Sequence, residues 1–298
     1  MHDQYNQLRD GCCFLDDAEN GLSDLNLDTR LVTHLMNSRS GRDQFFDEAG
    51  WHVRRLRQWF DDTAALMDSI LICMHLTYGQ PARAAELCAL LFRNHKNAPR
   101  NLFWSLKTFM LAGPYSKTRS MTQTNKWSAR FFPLRLAKVT KVYLALVRPM
   151  ELVTARYLFE LQSPEVYRYH LFVRRGRLYS GDAITNLLQR VSSDVMGVNI
   201  GVSLYRHVAI GFMRATLHMK IATGIDEVFE EEQELDLLDA QAGHSSEVAA
   251  NYARSQFEFK SLSSDLVQEF LRCSVEWQML LGKEKGCGSV FIFDRGFN

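Results

Sequence analysis

The chain has 298 residues, 46% hydrophobic and 23% charged, and its 19 Phe, 10 Tyr and 5 Trp exclude an intrinsically disordered composition. Its 35 Lys and Arg against 34 Asp and Glu leave a formal charge of +1, which taken whole points to no charged partner. The best apolar stretch, 64–78, is too short for a bilayer and carries Asp68, and the N-terminus lacks the regions of a signal peptide. No membrane span and no export are therefore expected.

Residues 1–45 are acidic and turn-rich, and they are expected to form a weakly ordered N-terminal segment. Leu56, Phe60, Met67, Leu71 and Met74 then recur at helical spacing and predict a helix over 51–75. Tyr78-Gly79-Gln80-Pro81 ends it, and Pro81 suits the opening turn of a second helix over 82–92. Leu102, Trp104, Leu106 and Thr108 alternate, which predicts a strand, with Phe109-Met110-Leu111 returning before Gly113-Pro114. A helix over 136–161 comes next, and Pro149 should kink or split it. Residues 170–179 read as a short hairpin turning at Arg175-Gly176. Further helices are expected at 184–195, 204–219, 246–257 and 262–281. The fold class is mainly α with a small antiparallel β-sheet, an α+β architecture.

Cys12, Cys13, Cys73, Cys88, Cys273 and Cys287 form no C-x-x-C pair, and Cys73 and Cys88 sit in apolar helical patterns. They read as reduced thiols of a nuclear or cytosolic protein, with no metal and no cofactor expected.

The charge is unevenly spread. Residues 91–150 hold twelve bases and no acid, whereas 226–239 hold eight acids and no base. The small net charge is thus a cancellation. In the basic stretch the charges alternate with Trp104, Phe109, Tyr115, Trp127, Phe131 and Phe132, a mixture suited to a phosphate-lined groove. Arg100, Arg119, Lys126, Arg130, Lys138 and Lys141 are the candidate contacts to nucleic acid. The acidic run reads as a solvated surface insertion pointing away from them.

Four short stretches carry candidate chemistry: Arg83-Ala84-Ala85-Glu86-Leu87, Tyr115-Ser116-Lys117-Thr118-Arg119, Leu204-Tyr205-Arg206-His207, and Gln241-Ala242-Gly243-His244-Ser245-Ser246 with Asn251-Tyr252 after it. Singly, each has an ordinary structural reading. Arg83 and Glu86 fit an i,i+3 ion pair, Lys117 a solvated loop, and Gly243 with Ser245 a helix end and the next cap.

In this order the set resembles the tyrosine recombinase family, the DNA breaking and rejoining enzymes of phage integrases and crypton-type transposons. Arg83 to Leu87 looks like the first Arg box, Lys117 like the hairpin lysine, Leu204 to His207 like the second box, and Ala242 to Ser246 like the third. Tyr252 falls at the nucleophile's place. Gly79-Gln80-Pro81-Ala82-Arg83, Gln241 to Ser245 and Val275-Glu276-Trp277-Gln278 also resemble the recombinase-like region beside the helicase of fungal telomere-linked RecQ-like proteins.

The resemblance implies a recombinase-like catalytic domain over 46–282. Residues 1–45 would be the remnant of a core-binding domain and 283–298 a tail. It implies a nuclear partner of duplex DNA, with copies assembling on it, and Arg83, Lys117, Arg206, His244 and Tyr252 as the catalytic set. No nucleotide partner is expected, since Gly282-Lys283-Glu284 lacks the spacing and hydroxyl of a phosphate-binding loop.

The chain departs from the family pattern in three places. Ser203 stands where the second box has His, His244 to Tyr252 is eight residues rather than nine, and the acidic run lengthens the gap between Arg206 and His244. These leave an alternative, a catalytically decayed DNA-binding module associated with a RecQ-like helicase. A scaffold domain with coincidental boxes would instead put Arg83 and Arg206 on separate surfaces, each paired to carboxylates.

Overall fold

A computed structural model describes residues 1–48, 50–114, 127–159, 165–221 and 264–282. The segment expected to be loosely ordered is the first departure from the sequence reading. Phe14 is wholly buried, with Cys13 and Leu15, among Met67, Leu71, Phe109 and Phe132 of the main core. The backbone of Gly11 and Cys12 exchanges hydrogen bonds with Asn94, and the carboxylate of Asp3 meets Arg100 at 2.6 Å and the Trp104 N–H at 2.7 Å. Acids that make 1–45 look solvated thus pair with bases of the 91–150 stretch. The N-terminal residues belong to the same body as the sheet and the main core.

Helices α1 (Leu27–Asn37) and α2 (Arg39–Phe45) come next, then the two-residue strands β1 (Phe46–Asp47) and β2 (Gly50–Trp51), paired antiparallel. Helix α3 (Val53–Thr77) is the spine of the molecule. Its helical-period apolar residues bury Leu56, Phe60, Met67, Ile70, Leu71 and Met74, each contributing about 1.5–3 kcal/mol of transfer free energy. The chain leaves α3 through Tyr78 and Gly79, whose φ of +125° is open to glycine and strained for other residues.

The expected helix over 82–92 shortens to α4 (Ala84–Cys88). The reason lies in competing partners. Leu90 O accepts from Leu171 N, Phe92 N donates to Tyr169 O, and the Leu91 N–H is taken by the Asn101 side chain. Residues 90–94 therefore leave the helix and bridge distant segments.

Strands β3 (Leu102–Ser105), β4 (Thr108–Pro114) and β5 (Trp127–Phe131) form one antiparallel sheet in that order. The turn falls at Leu106-Lys107, both with positive φ, so Thr108 opens the second strand rather than closing the first. β5 carries no clear alternation and is an element the sequence reading omits. Helix α5 (Leu134–Val142) passes through a wider π-helical turn, Tyr143–Val147, into α6 (Arg148–Thr154). The turn precedes Pro149, which lacks an N–H, so the interruption expected there takes the form of a π-turn.

Helix α7 (Glu165–Tyr169) leads to the hairpin of β6 (Val173–Arg174) and β7 (Arg177–Leu178), turning at Arg175-Gly176 as expected. Three longer helices complete the described fold: α8 (Gly181–Met196), α9 (Val202–Ile221) and α10 (Ser264–Leu281). The architecture is mainly helical with small antiparallel sheets. Among the described residues no helix is long and apolar enough to cross a membrane. The expected helix over 246–257 and the tail 283–298 lie outside the described residues.

Candidate functional site

The turn from Tyr78 to Arg83 is where distant parts of the chain meet. Its own closure is local: the Tyr78 hydroxyl accepts from Ala82 N at 2.9 Å. Two arginines then fasten it from outside. Arg130, on β5, donates from Nε to Gln80 O at 2.9 Å, and Arg206, on α9, donates from Nε to Pro81 O at 3.1 Å. Arg83 stands at the end of the same turn, where its N–H reaches the Glu86 carboxylate at 3.3 Å and opens α4.

Three guanidiniums therefore gather on one turn. Burial pushes the Arg206 guanidinium below its ordinary value; the charge of Glu86 acts against this, and those of Arg83 and Arg130 push it further down. Positive groups packed until they disfavour one another's charge form a place that an anion stabilises. Both donated bonds use Nε and end on neutral carbonyls, so these two bonds orient the arginines without cancelling their charge.

The framework behind the cluster is tied together by hydrogen bonds. Tyr205 and Trp277 both donate to Leu76 O, at 3.1 and 2.8 Å, hooking α9 and α10 onto the end of α3. On the other side Ser274 and Gln278 of α10 hold the N–H and C=O of Phe131, next to Arg130. Arg130 also lies over the Tyr78 ring, 5.5 Å from its centroid.

Of the expected catalytic set, Arg83 and Arg206 come together here, contrary to the separate surfaces a coincidental pair would occupy. Lys117, His244 and Tyr252 lie outside the described residues, as do Arg119, Lys126 and the acidic run at 226–239. Ser203 and His207, on either side of Arg206, lie within them. Ser203 is exposed, and His207, also exposed, turns its Nδ1 to the Ser203 carbonyl at 2.7 Å.

The candidate contacts to nucleic acid divide. Arg100 is corrected: at 2% exposure it is enclosed between Asp3 and the Phe103 ring, 4.7 Å away, and cannot reach a partner without unfolding. Arg130, also buried, belongs to the cluster rather than to an open basic patch. Lys138 is exposed on α5, and half-buried Lys141 lies 5.2 Å from the Trp104 ring centroid. Arg93 and Arg148, counted in the basic stretch, are likewise structural. Arg93 pairs with Asp16 at 2.6 Å, and Arg148 sits 3.1 Å from Glu151 while donating to the carbonyls of His170 and Leu171.

His75 is a site residue that the sequence reading missed. It is fully buried on α3, its ring centroid 5.4 Å from that of Tyr205 and 6.1 Å from that of Tyr78. Burial, reinforced by the charges of Arg130 and Arg206, pushes it down to about 3, so it is neutral. The only signal in the sequence is a histidine on the buried face of an apolar helix, which ordinarily means packing. No disulfide joins the described cysteines, and burial pushes the Cys13 thiol up to about 12, out of reach of thiolate chemistry.

No protein-family model matches the chain, and no solved structure matches it.

Proposed function

We propose that the chain acts on duplex DNA as a tyrosine-recombinase-like strand transferase, with Arg83 and Arg206 clamping a backbone phosphate and Tyr252 as its nucleophile. The observation that carries this reading is the meeting of Arg206 with the Arg83 turn, 125 positions of chain between Arg206 and Pro81. A phosphodiester under attack gathers charge on its non-bridging oxygens, and paired guanidinium donors are the side chains best shaped to receive it. The phenol oxygen of Tyr252 would bond to phosphorus as its proton passes to His244, and the bond from phosphorus to the 5′ oxygen would break. Lys117 would protonate that departing oxygen. The 3′-phosphotyrosine retains the bond energy, so the reverse attack by a 5′ hydroxyl rejoins the strand without ATP.

One observation favours a second reading, a DNA-binding module without strand transfer. Ser203 replaces the second-box histidine, and His207 is turned back on its own helix, so neither supplies that imidazole. Both readings require salt-sensitive binding to duplex DNA. A nicked suicide duplex separates them: the strand-transfer reading expects a covalent adduct that Tyr252→Phe abolishes. Duplex binding with no adduct on any plausible sequence leaves the binding module, and a flat salt response removes both.

A further inference from the structure

Beneath the arginine cluster lies an aromatic layer formed by Tyr78, His75 and Tyr205, with Arg130 over the Tyr78 ring and Arg206 next in sequence to Tyr205. His75 is at its centre, at 0% exposure, and neither ring nitrogen has a hydrogen-bond partner among the described residues. Enclosing an imidazole in this way is costly, and a leucine would fill the space with no such loss. The charged groups that face it, Arg130 from β5 and Arg206 from α9, are both cations, and the neighbouring phenols of Tyr78 and Tyr205 are neutral. An imidazolium is therefore disfavoured, and the ring keeps one lone pair and one N–H.

The carbonyls of Gln80 and Pro81, which accept from the same two arginines, are also neutral. A carboxylate in the same place would fix a guanidinium equally well but would add to the opposing charge of Glu86 and weaken the attraction for an anion. A neutral ring nitrogen accepts from it without adding a negative charge.

We infer that His75 is a positioning residue of the arginine cluster, its neutral ring nitrogen receiving an arginine N–H when Arg130 and Arg206 close on an anion. This rests on the proposed phosphate-binding role of the cluster but not on DNA as its source.

The test uses the full chain with inorganic sulfate as probe, comparing the rise in Tm over chloride at matched ionic strength. The wild type should show a rise that Arg206→Gln loses. His75→Leu should match or exceed the wild-type Tm in chloride yet lose at least half of the sulfate-dependent rise, and His75→Gln should restore it. A merely structural His75 gives a different result, in which His75→Leu keeps the full sulfate rise or His75→Gln fails to rescue it; either overturns the inference. So does a wild type whose rise equals that of Arg206→Gln. If His75→Leu does not fold, His75→Met takes its place as the apolar variant, and a full sulfate rise in it overturns the inference. A wild type that responds to sulfate but binds duplex DNA with no salt dependence leaves His75 in its role and removes the DNA reading alone.

Discussion

Arg206 Nε and Pro81 O, 3.1 Å apart, tie helix α9 to the turn that presents Arg83. The bond needs the Nε–H of a guanidinium, whose remaining donors then point in a fixed plane. Lysine keeps the charge but not the fork. Arg206→Lys should therefore lower affinity for a backbone phosphate by about tenfold to a hundredfold, since hydrogen bonds to charged groups contribute about 1.5–3 kcal/mol. Fluorescence anisotropy with a duplex at fixed salt measures this. Affinity within twofold of wild type would show that charge alone suffices.

Asp3 and Arg100 form the opposite kind of pair, a salt bridge enclosed on both sides with each side chain 1% exposed. Removing the acid leaves a guanidinium buried without its counterion. Asp3→Ala should cost about 3–5 kcal/mol in urea unfolding, with duplex affinity of the folded fraction unchanged. Unaltered stability together with weaker DNA binding would restore Arg100 to the interface from which its burial removes it.

Lys138, exposed on α5, behaves differently if it meets a phosphate. Lys138→Gln should leave unfolding free energy within about 0.5 kcal/mol of wild type. The slope of log K against log salt should become shallower by about one. An unchanged slope places Lys138 off the binding face.

The sequence made the long elements readable because their signal is local. α3, α8 and α9 each carry enough helical-period apolar residues to be placed within a few positions. Elements whose form depends on distant partners were not readable. Leu91 and Phe92 look helical but bond to Asn101 and Tyr169, and β5 is a strand because β4 lies beside it. The site divides in the same way. Arg83 and Arg206 lie in short stretches that stand out in the sequence, whereas His75 gains meaning only when β5 and α9 bring two cations to it. The basic stretch misled in part, because Asp3 and Asp16, which neutralise Arg100 and Arg93, lie far away in the N-terminal segment.

The hairpin joining β3 and β4 shows how local chemistry can be overridden and repaired. Leu106 and Lys107 hold φ of +50° and +68° between the paired residues Ser105 and Thr108, the pattern of a turn that favours Asn-Gly. Neither residue is suited to it, and the absence of glycine is why the alternation reads straight through Leu106. The double change Leu106→Asn and Lys107→Gly should stabilise the fold by about 1 kcal/mol, read as a higher urea midpoint with unchanged slope. A lower midpoint would mean that Leu106 makes a contact worth more than the strain.

Acid should find His75. The ring is neutral in the folded chain because burial, Arg130 and Arg206 hold it down to about 3, whereas in the unfolded chain it titrates near 6.5. Between those values the unfolded state binds one proton more than the folded state. Stability from this group is therefore complete above about pH 6.5 and falls as the pH drops toward 3, by up to about 1.4 kcal/mol per pH unit. His75→Leu removes the group from both states, so its urea unfolding free energy should decline less steeply over that window, by about that slope. The carboxyls of Asp3 and Glu151, both raised by burial, work in the opposite sense and are common to the two proteins, so the difference between them isolates the histidine. Equal slopes would mean that the imidazole takes up its proton inside the fold, and a cation would then sit beneath the arginines rather than a neutral acceptor.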